Sequence, residues 1–250
     1  MTATPTDLLR EATTRLERIT ALAEEGGLDS AISLLTRALE DGGVIHAFGT
    51  GHSEAFAMEI AGRAGGLIPT NKIALRDLVL HGERDAGILN ASLEREPWLV
   101  DELMALTPVS EHDVFAIASN SGVNGSIVGV AVWAKEHGHP VIAVTSLDHT
   151  SRVESKHPSG KRLSEVADVV IDNLAPYGDA TLEVTDGVAA GAISSITAAF
   201  IAQLLTLGVA RAIAETGHKP PMYISANIPG GDEHNHALEE LYAERIRRGN

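Results

Sequence analysis

The chain has 250 residues and not one cysteine, and its 19 lysines and arginines are outnumbered by 34 aspartates and glutamates, a formal charge of −15. The first absence removes disulfides, thiolate metal sites, cysteine nucleophiles and dithiol redox motifs together. The shortage of basic residues, with no basic stripe, speaks against nucleic acid and anionic membranes as partners. No GxxxxGK[ST] segment occurs, so a nucleoside triphosphate is not expected. Met1–Thr6 has no basic region followed by an apolar run, so no signal peptide is read and a cytoplasmic location is expected. No repeat, low-complexity tract or linker divides the chain, and its length suits one domain. Residues 187–210 carry no charge, yet Ser194, Ser195, Thr197, Gln203 and Thr206 interrupt them without aromatic belts or a basic flank. That pattern predicts a buried core or subunit-interface helix rather than a membrane span, and with it a homo-oligomer.

What is present is an alternation of strand and helix signals. Apolar runs at 44–48, 114–118, 141–144 and 169–171 read as buried parallel strands, and 126–137 reads as a helix between two of them. This is the pattern of an α/β domain. Two helices, about 7–24 and 29–40, precede the first strand, the second with Asp29 as its N-cap and Ile32, Leu35 and Leu39 on one face. After the uncharged helix, 217–235 reads as a Pro- and Gly-rich loop and about 237–248 as a closing charged helix.

Ligands of open α/β sheets bind at the carboxyl ends of the strands. There the sequence places Gly49-Thr50-Gly51-His52-Ser53, Ser119-Asn120-Ser121-Gly122-Val123-Asn124 and Thr145-Ser146. The third glycine of a dinucleotide fingerprint is replaced by Glu54, so the first segment reads as a tight turn. It is either structural or an exposed set of amides with the Thr50 and Ser53 hydroxyls. The second segment offers the Ser119 and Ser121 hydroxyls, the amides of Asn120 and Asn124 and free N–H groups at a helix start. That set suits a phosphate dianion, with helix capping as the structural alternative. Arg152, Lys156, Lys161 and Arg162 surround His157 within eleven residues, as a positive lid or a solvated loop. In Asp232-Glu233-His234-Asn235-His236 no third ligand accompanies the alternate histidines, so no metal site is expected.

His46 to Gly51, Ser119 to Gly122 and the helix after each resemble the sugar isomerase (SIS) domain, over roughly residues 30–215. With Glu59, Arg63-Ala64-Gly65-Gly66, Ser155 to Leu163 and Ser225 to Asn235, the likeness extends to stand-alone SIS proteins. These include phosphoheptose-isomerase-like proteins, the N-acetylmuramic acid 6-phosphate etherases and the N-acetylglucosamine-6-phosphate dehydratases. The resemblance implies a doubly wound α/β/α sandwich around a mostly parallel sheet, and a sugar phosphate bound without metal or organic cofactor. It implies that the phosphate lies among Thr50, Gly51, Ser53, Ser119, Asn120, Ser121 and Asn124, with Arg63, His157, Lys161 and Asn235 also in contact with substrate.

For the reaction it implies β-elimination from an opened 2-acetamido sugar phosphate, which needs one proton acceptor and one donor. Glu59, among the apolar Met58, Ile60 and Ala61, is one candidate, and its alternative is an ion pair with Arg63 at i+4. Counted from the loop serine, the first catalytic glutamate of the etherases falls at Arg63 and the second on Glu94. Glu83 and Glu96 are rivals of Glu94, and a first-turn acid on a helix dipole is its structural alternative. His52 and His234 can bond hydroxyls or pass protons. An aldose–ketose isomerase and a non-catalytic sensor are the other functions that the fold allows.

Overall fold

The computed structural model describes residues 3–247. In chain order the elements are α1 (Pro5–Glu24), α2 (Asp29–Glu40), β1 (Ile45–Gly49), α3 (Glu54–Ile60), β2 (Thr70–Ile73), α4 (Asp77–Leu80) and α5 (Val100–Ala105). Then follow β3 (Val114–Ala118), α6 (Gly125–Glu136), β4 (Val141–Thr145), α7 (Leu147–Thr150), α8 (Leu163–Val166) and β5 (Val169–Asp172). The chain closes with β6 (Ala180–Thr185), β7 (Val188–Ala192), α9 (Ser194–Glu215) and α10 (Gly231–Glu239). β1 to β5 form one sheet in the order β2-β1-β3-β4-β5 with every pairing parallel. β6 and β7 form a separate antiparallel hairpin.

Both faces of the sheet are covered, as parallel strands require. On one face Ile45, Ala47, Ala116, Ile142 and Val144 pack with Leu35 of α2, Phe56 of α3 and Ile201 and Leu205 of α9. On the other, Phe48, Phe115, Ile117 and Val141 pack with Leu103 of α5, Ile127 and Val130 of α6 and Leu163 of α8. Each of the larger of these side chains, Val, Leu, Ile or Phe, stabilises the fold by roughly 1.5–3 kcal/mol relative to exposure, so the two faces carry most of the favourable burial. α1 starts on a capping box between Thr4 and Asp7 with Pro5 in its first turn.

Three expectations need correction, and one strand went unread. Asp29 is the first residue of α2; the cap is Leu28, and no side chain bonds there. The uncharged stretch is not one helix: residues 188–192 are β7, and α9 starts only at Ser194. The hairpin turns on Asp186-Gly187, a pair suited to a two-residue turn, while Thr181-Leu182-Glu183-Val184 alternates as a half-exposed strand does. α9 is long and apolar enough in composition to cross a membrane. Here its Thr197, Ile201, Leu205 and Val209 are buried instead. The closing helix runs from Gly231 to Glu239, earlier than 237–248, and a turn follows it; Arg248 lies outside the described residues. β2 went unread because Thr70-Asn71-Lys72-Ile73 holds one apolar residue and gains its identity by pairing with β1.

The amino ends of the strands are locked by polar bonds. Asp113, fully buried just before β3, accepts from Val44 N at 2.7 Å, Ser110 N at 2.8 Å and His46 Nε2 at 2.9 Å, and pairs with Arg245. Arg245 also donates to the Gly42 carbonyl at 2.6 Å, and Asn71 binds the backbone of residues 245 and 247. The C-terminal segment is thereby strapped across this end of the sheet.

Candidate functional site

In the order β2-β1-β3-β4-β5 the direction of winding reverses between β1 and β3, and a crevice opens there at the carboxyl ends. Register makes that crevice specific. Gly49 pairs with Ala118, so the two glycine and hydroxyl loops leave the sheet side by side. A Cβ on Gly49 would stand 2.3 Å from the Ser53 carbonyl oxygen, so only glycine lets the first loop fold back as a 3₁₀ turn over Gly51–Ser53 into α3. In the second loop the Gly122 N–H donates to Ser119 Oγ at 3.1 Å, which leaves the serine proton unspent. Ser121 Oγ accepts and donates no bond among the described residues. Asn124 is the N-cap of α6 but makes no side-chain cap bond. Ser119 lines the pocket at these loops, and the first amides of the twelve-residue α6 have no side-chain cap.

The walls of the crevice come from distant segments. Gly125 approaches so closely that a Cβ there would meet the Arg95 carbonyl oxygen at 2.2 Å, and Ser126 Oγ donates to the Glu94 carbonyl at 2.6 Å. The 3₁₀ turn Leu93–Arg95 is held in this way against the start of α6. Glu94 Oε2 lies 3.5 Å from the Cβ position of Gly51, so this carboxylate stands over the first loop. From the basic segment it is Lys156 that reaches the site: its N–H bonds the Val123 carbonyl and its Nζ lies 3.2 Å from Asn124 Oδ1. Arg152 pairs with Asp148, Arg162 bonds the Val153 carbonyl, and Lys161 is exposed. His157 accepts from Ser159 and lies against Gly129 on the second turn of α6, and burial holds its pKa below the ordinary histidine value.

A small pocket lies at the loops where α3 and α9 begin, lined by His52, Ser53 and Phe56 on one side and Ser194, Ser195 and Ala198 on the other. Beyond this pocket, where α3 and α9 pack together, Glu59 Oε1 accepts from Gln203 Nε2 at 2.5 Å and pairs with Arg63. Glu59 and Glu94 therefore stand at different places: one partway down α3, the other above the loops. Asn120 is engaged in scaffolding. Its Oδ1 accepts from Asn173 at 3.1 Å and its Nδ2 faces His149 Nδ1 at 3.5 Å. Ser194 and the start of α9 are fixed by Asp179, which accepts from the N–H groups of Ile193 and Ser194 and from Ser194 Oγ.

His234 and Asn235, expected at the sugar on a loop, sit on α10 near the opposite end of the sheet in their own chain. Asn235 clasps the Ile224 backbone with both amide atoms, and His234 Nε2 bonds the Met222 carbonyl. Met222 in turn bridges Leu67, and Tyr223 packs with Val44 and Ile68 at the amino ends of β1 and β2. Sequence reasoning missed Asn173, Ser194, Ser195 and Gln203 as site residues. Asn173 alone had a signal, since it follows a strand at the carboxyl edge. Among the described residues no group of three or more His, Asp or Glu side chains could hold a metal ion.

This fold and crevice define the class: the chain belongs to the SIS-domain family, which residues 8–146 match. More particularly, it is 38% identical to a UPF0309 protein of Listeria monocytogenes over 96% of both chains. It is also 37% identical to a UPF0309 protein of a Geobacillus species over 89% of this chain and 90% of the relative. Among solved structures, a phosphoheptose isomerase from Francisella tularensis shares the fold. The TM-score is 0.54 at 17% identity, covering 83% of this chain and 98% of that one.

Proposed function

We propose that the protein is a lyase acting on a 2-acetamido sugar 6-phosphate, removing water across C2 and C3 of the opened sugar. The observation that carries this reading is the pairing of Gly49 with Ala118, which sets two hydroxyl-bearing loops side by side beneath the Glu94 carboxylate. Ser119 and Ser121, with the first amides of α6, bind the phosphate, and Lys156 adds a positive charge at the rim. The aldehyde at C1 acidifies the C2 proton. The protein then has to supply a base, an acid and fixed geometry, the roles given to Glu59 and Glu94. His52 lies on the first loop and lines the pocket there. The exposed Ile196 and Leu207 of α9 support a homo-oligomer built on this helix.

The test is direct. Incubation with N-acetylglucosamine 6-phosphate yields an ultraviolet-absorbing unsaturated product lighter by one water. A ketose phosphate as product replaces the reading by isomerisation, the activity in the name of the Francisella relative in fold, and binding without turnover replaces it by sensing. Glu59→Gln and Glu94→Gln each keep shape and polarity but lose the proton carrier, and each lowers turnover by about 10²- to 10⁴-fold. Near wild-type turnover in both variants refutes the assignment.

A further inference from the structure

We infer that Gln203 is a positioning residue that, together with Arg63, aims Glu59 as the base that takes the C2 proton. The inference rests on the lyase reading above. It begins with distribution along α3. Ser53 stands at the start of this helix and Glu59 six residues on, which is about 9 Å of helix at 1.5 Å per residue. Glu94, above Gly51, stands nearer the phosphate end. Of the two carboxylates, Glu59 is thus the one farther from the phosphate loops, and what marks it as the base is how it is held.

The second element is how Glu59 is held. Gln203 Nε2, at 2.5 Å, and the Arg63 guanidinium both bind Oε1, and Oε2 has no hydrogen-bond partner among the described residues. Two donors on one oxygen orient the carboxylate and leave the other oxygen to accept a proton. Gln203 is otherwise hard to explain. It is a polar side chain on a helix whose neighbours Ala202, Leu204 and Leu205 are apolar, and its amide crosses to α3 for this one contact. In the reaction the C2–H bond breaks with its proton going to Glu59 Oε2, and its electron pair forms the C1–C2 double bond as O1 takes the carbonyl pair. The enolate then returns that pair, forming C1=O and C2=C3, as the C3–O bond breaks and the hydroxyl leaves as water with the proton of Glu94. Solvent later takes the proton from Glu59 and returns one to Glu94.

The experiment follows exchange of the C2 hydrogen of N-acetylglucosamine 6-phosphate with deuterated water, with kcat and KM for product formation. Gln203→Met keeps length and apolar packing but cannot donate, whereas Gln203→Lys restores a donor. Expected is a fall in kcat and exchange by roughly 10- to 100-fold in the Met variant, the worth of one bond to a charged group. KM should stay within about twofold, and the Lys variant should recover most of the loss. Wild-type exchange in Gln203→Met, a change confined to KM, or a Lys variant as impaired as Met overturns the inference while leaving the lyase in place. Absence of both exchange and product in the parent protein removes the lyase reading and the role of Gln203 with it. A ketose product with the same ranking of variants removes the lyase alone, because isomerisation takes the same C2 proton.

Discussion

The two ends of the sheet are built from similar polar residues and use them in opposite ways. At the amino end Asp113 is fully buried and takes four donors, from Val44, Ser110, His46 and Arg245, and Asn235 spends both atoms of its amide on Ile224. At the carboxyl end Ser121 spends none, and Ser119 accepts one bond and keeps its proton. A buried polar group left without a partner is costly, whereas one partly open to water, as Ser121 is, can be left for a ligand. How far side chains such as Asp113 and Asn235 are engaged, compared with Ser121, therefore separates scaffold from site more than residue type does, even though His46 Nδ1 and Arg245 Nε at the amino end have no partner among the described residues.

The comparison breaks most visibly if the free hydroxyls prove dispensable. Replacing Ser119 and Ser121 together by Ala should weaken binding of a sugar 6-phosphate by about 1.5–3 kcal/mol per lost charge-assisted bond, with a loss of stability of no more than about 1–3 kcal/mol from the Gly122 N–H that Ser119 no longer accepts. Calorimetric titration checks the first statement and a melting curve the second; unchanged affinity sinks the phosphate assignment.

At the other end the effect should fall on stability instead. Asp113→Ala strands the donors that it served and should cost about 3–5 kcal/mol in chemical denaturation at neutral pH. Burial by itself raises the Asp113 pKa, but the bonds from His46, Val44 and Ser110 outweigh it and hold the carboxyl below its usual value. A lowered folded pKa stabilises the protein above the unfolded value and loses that contribution as pH falls through the folded one. The gap between parent and Asp113→Ala should accordingly narrow below about pH 4. A gap independent of pH down to the acid transition would show that the charge of Asp113 contributes nothing.

Smaller effects sharpen the contrast. Asn235→Ala removes two bonds to Ile224 and should lower stability by about 1–3 kcal/mol with turnover per folded molecule unchanged if each subunit uses only its own site. A loss of turnover beyond the loss of folded protein would instead place α10 at a neighbouring subunit's site. Least of all should be felt at Lys161, which is exposed: Lys161→Ala should stay within about 0.5 kcal/mol in stability. A tenfold rise in KM there would restore it to the phosphate site in place of Lys156.

Much of the fold was legible in the sequence, and the reason is local. The strands at 114–118 and 141–145 are near-continuous apolar runs because both their faces are covered, and α2 shows its buried stripe at Leu35 and Leu39. The two loops were legible too, since glycine and hydroxyls after a strand have few other uses. β2 was not, because an edge strand such as Thr70–Ile73 takes its identity from its neighbour. The hairpin was missed although Asp186-Gly187 marked it; the absence of charge through 187–210 outweighed the turn signal.

By itself the sequence determined the alternation of elements, the covered sheet and the hydroxyl-rich loops at the carboxyl ends, because apolar periodicity and turn chemistry act over a few residues. Only the tertiary structure decided which polar groups are spent. Gln203 meets Glu59 across 144 positions, Arg245 meets Asp113 across 132, and Glu94 reaches Gly51 through a close contact at Gly125. Such bonds depend on the packing of helices and on strand register, and a linear pattern of residue types does not carry the direction in which a side chain will find its partner.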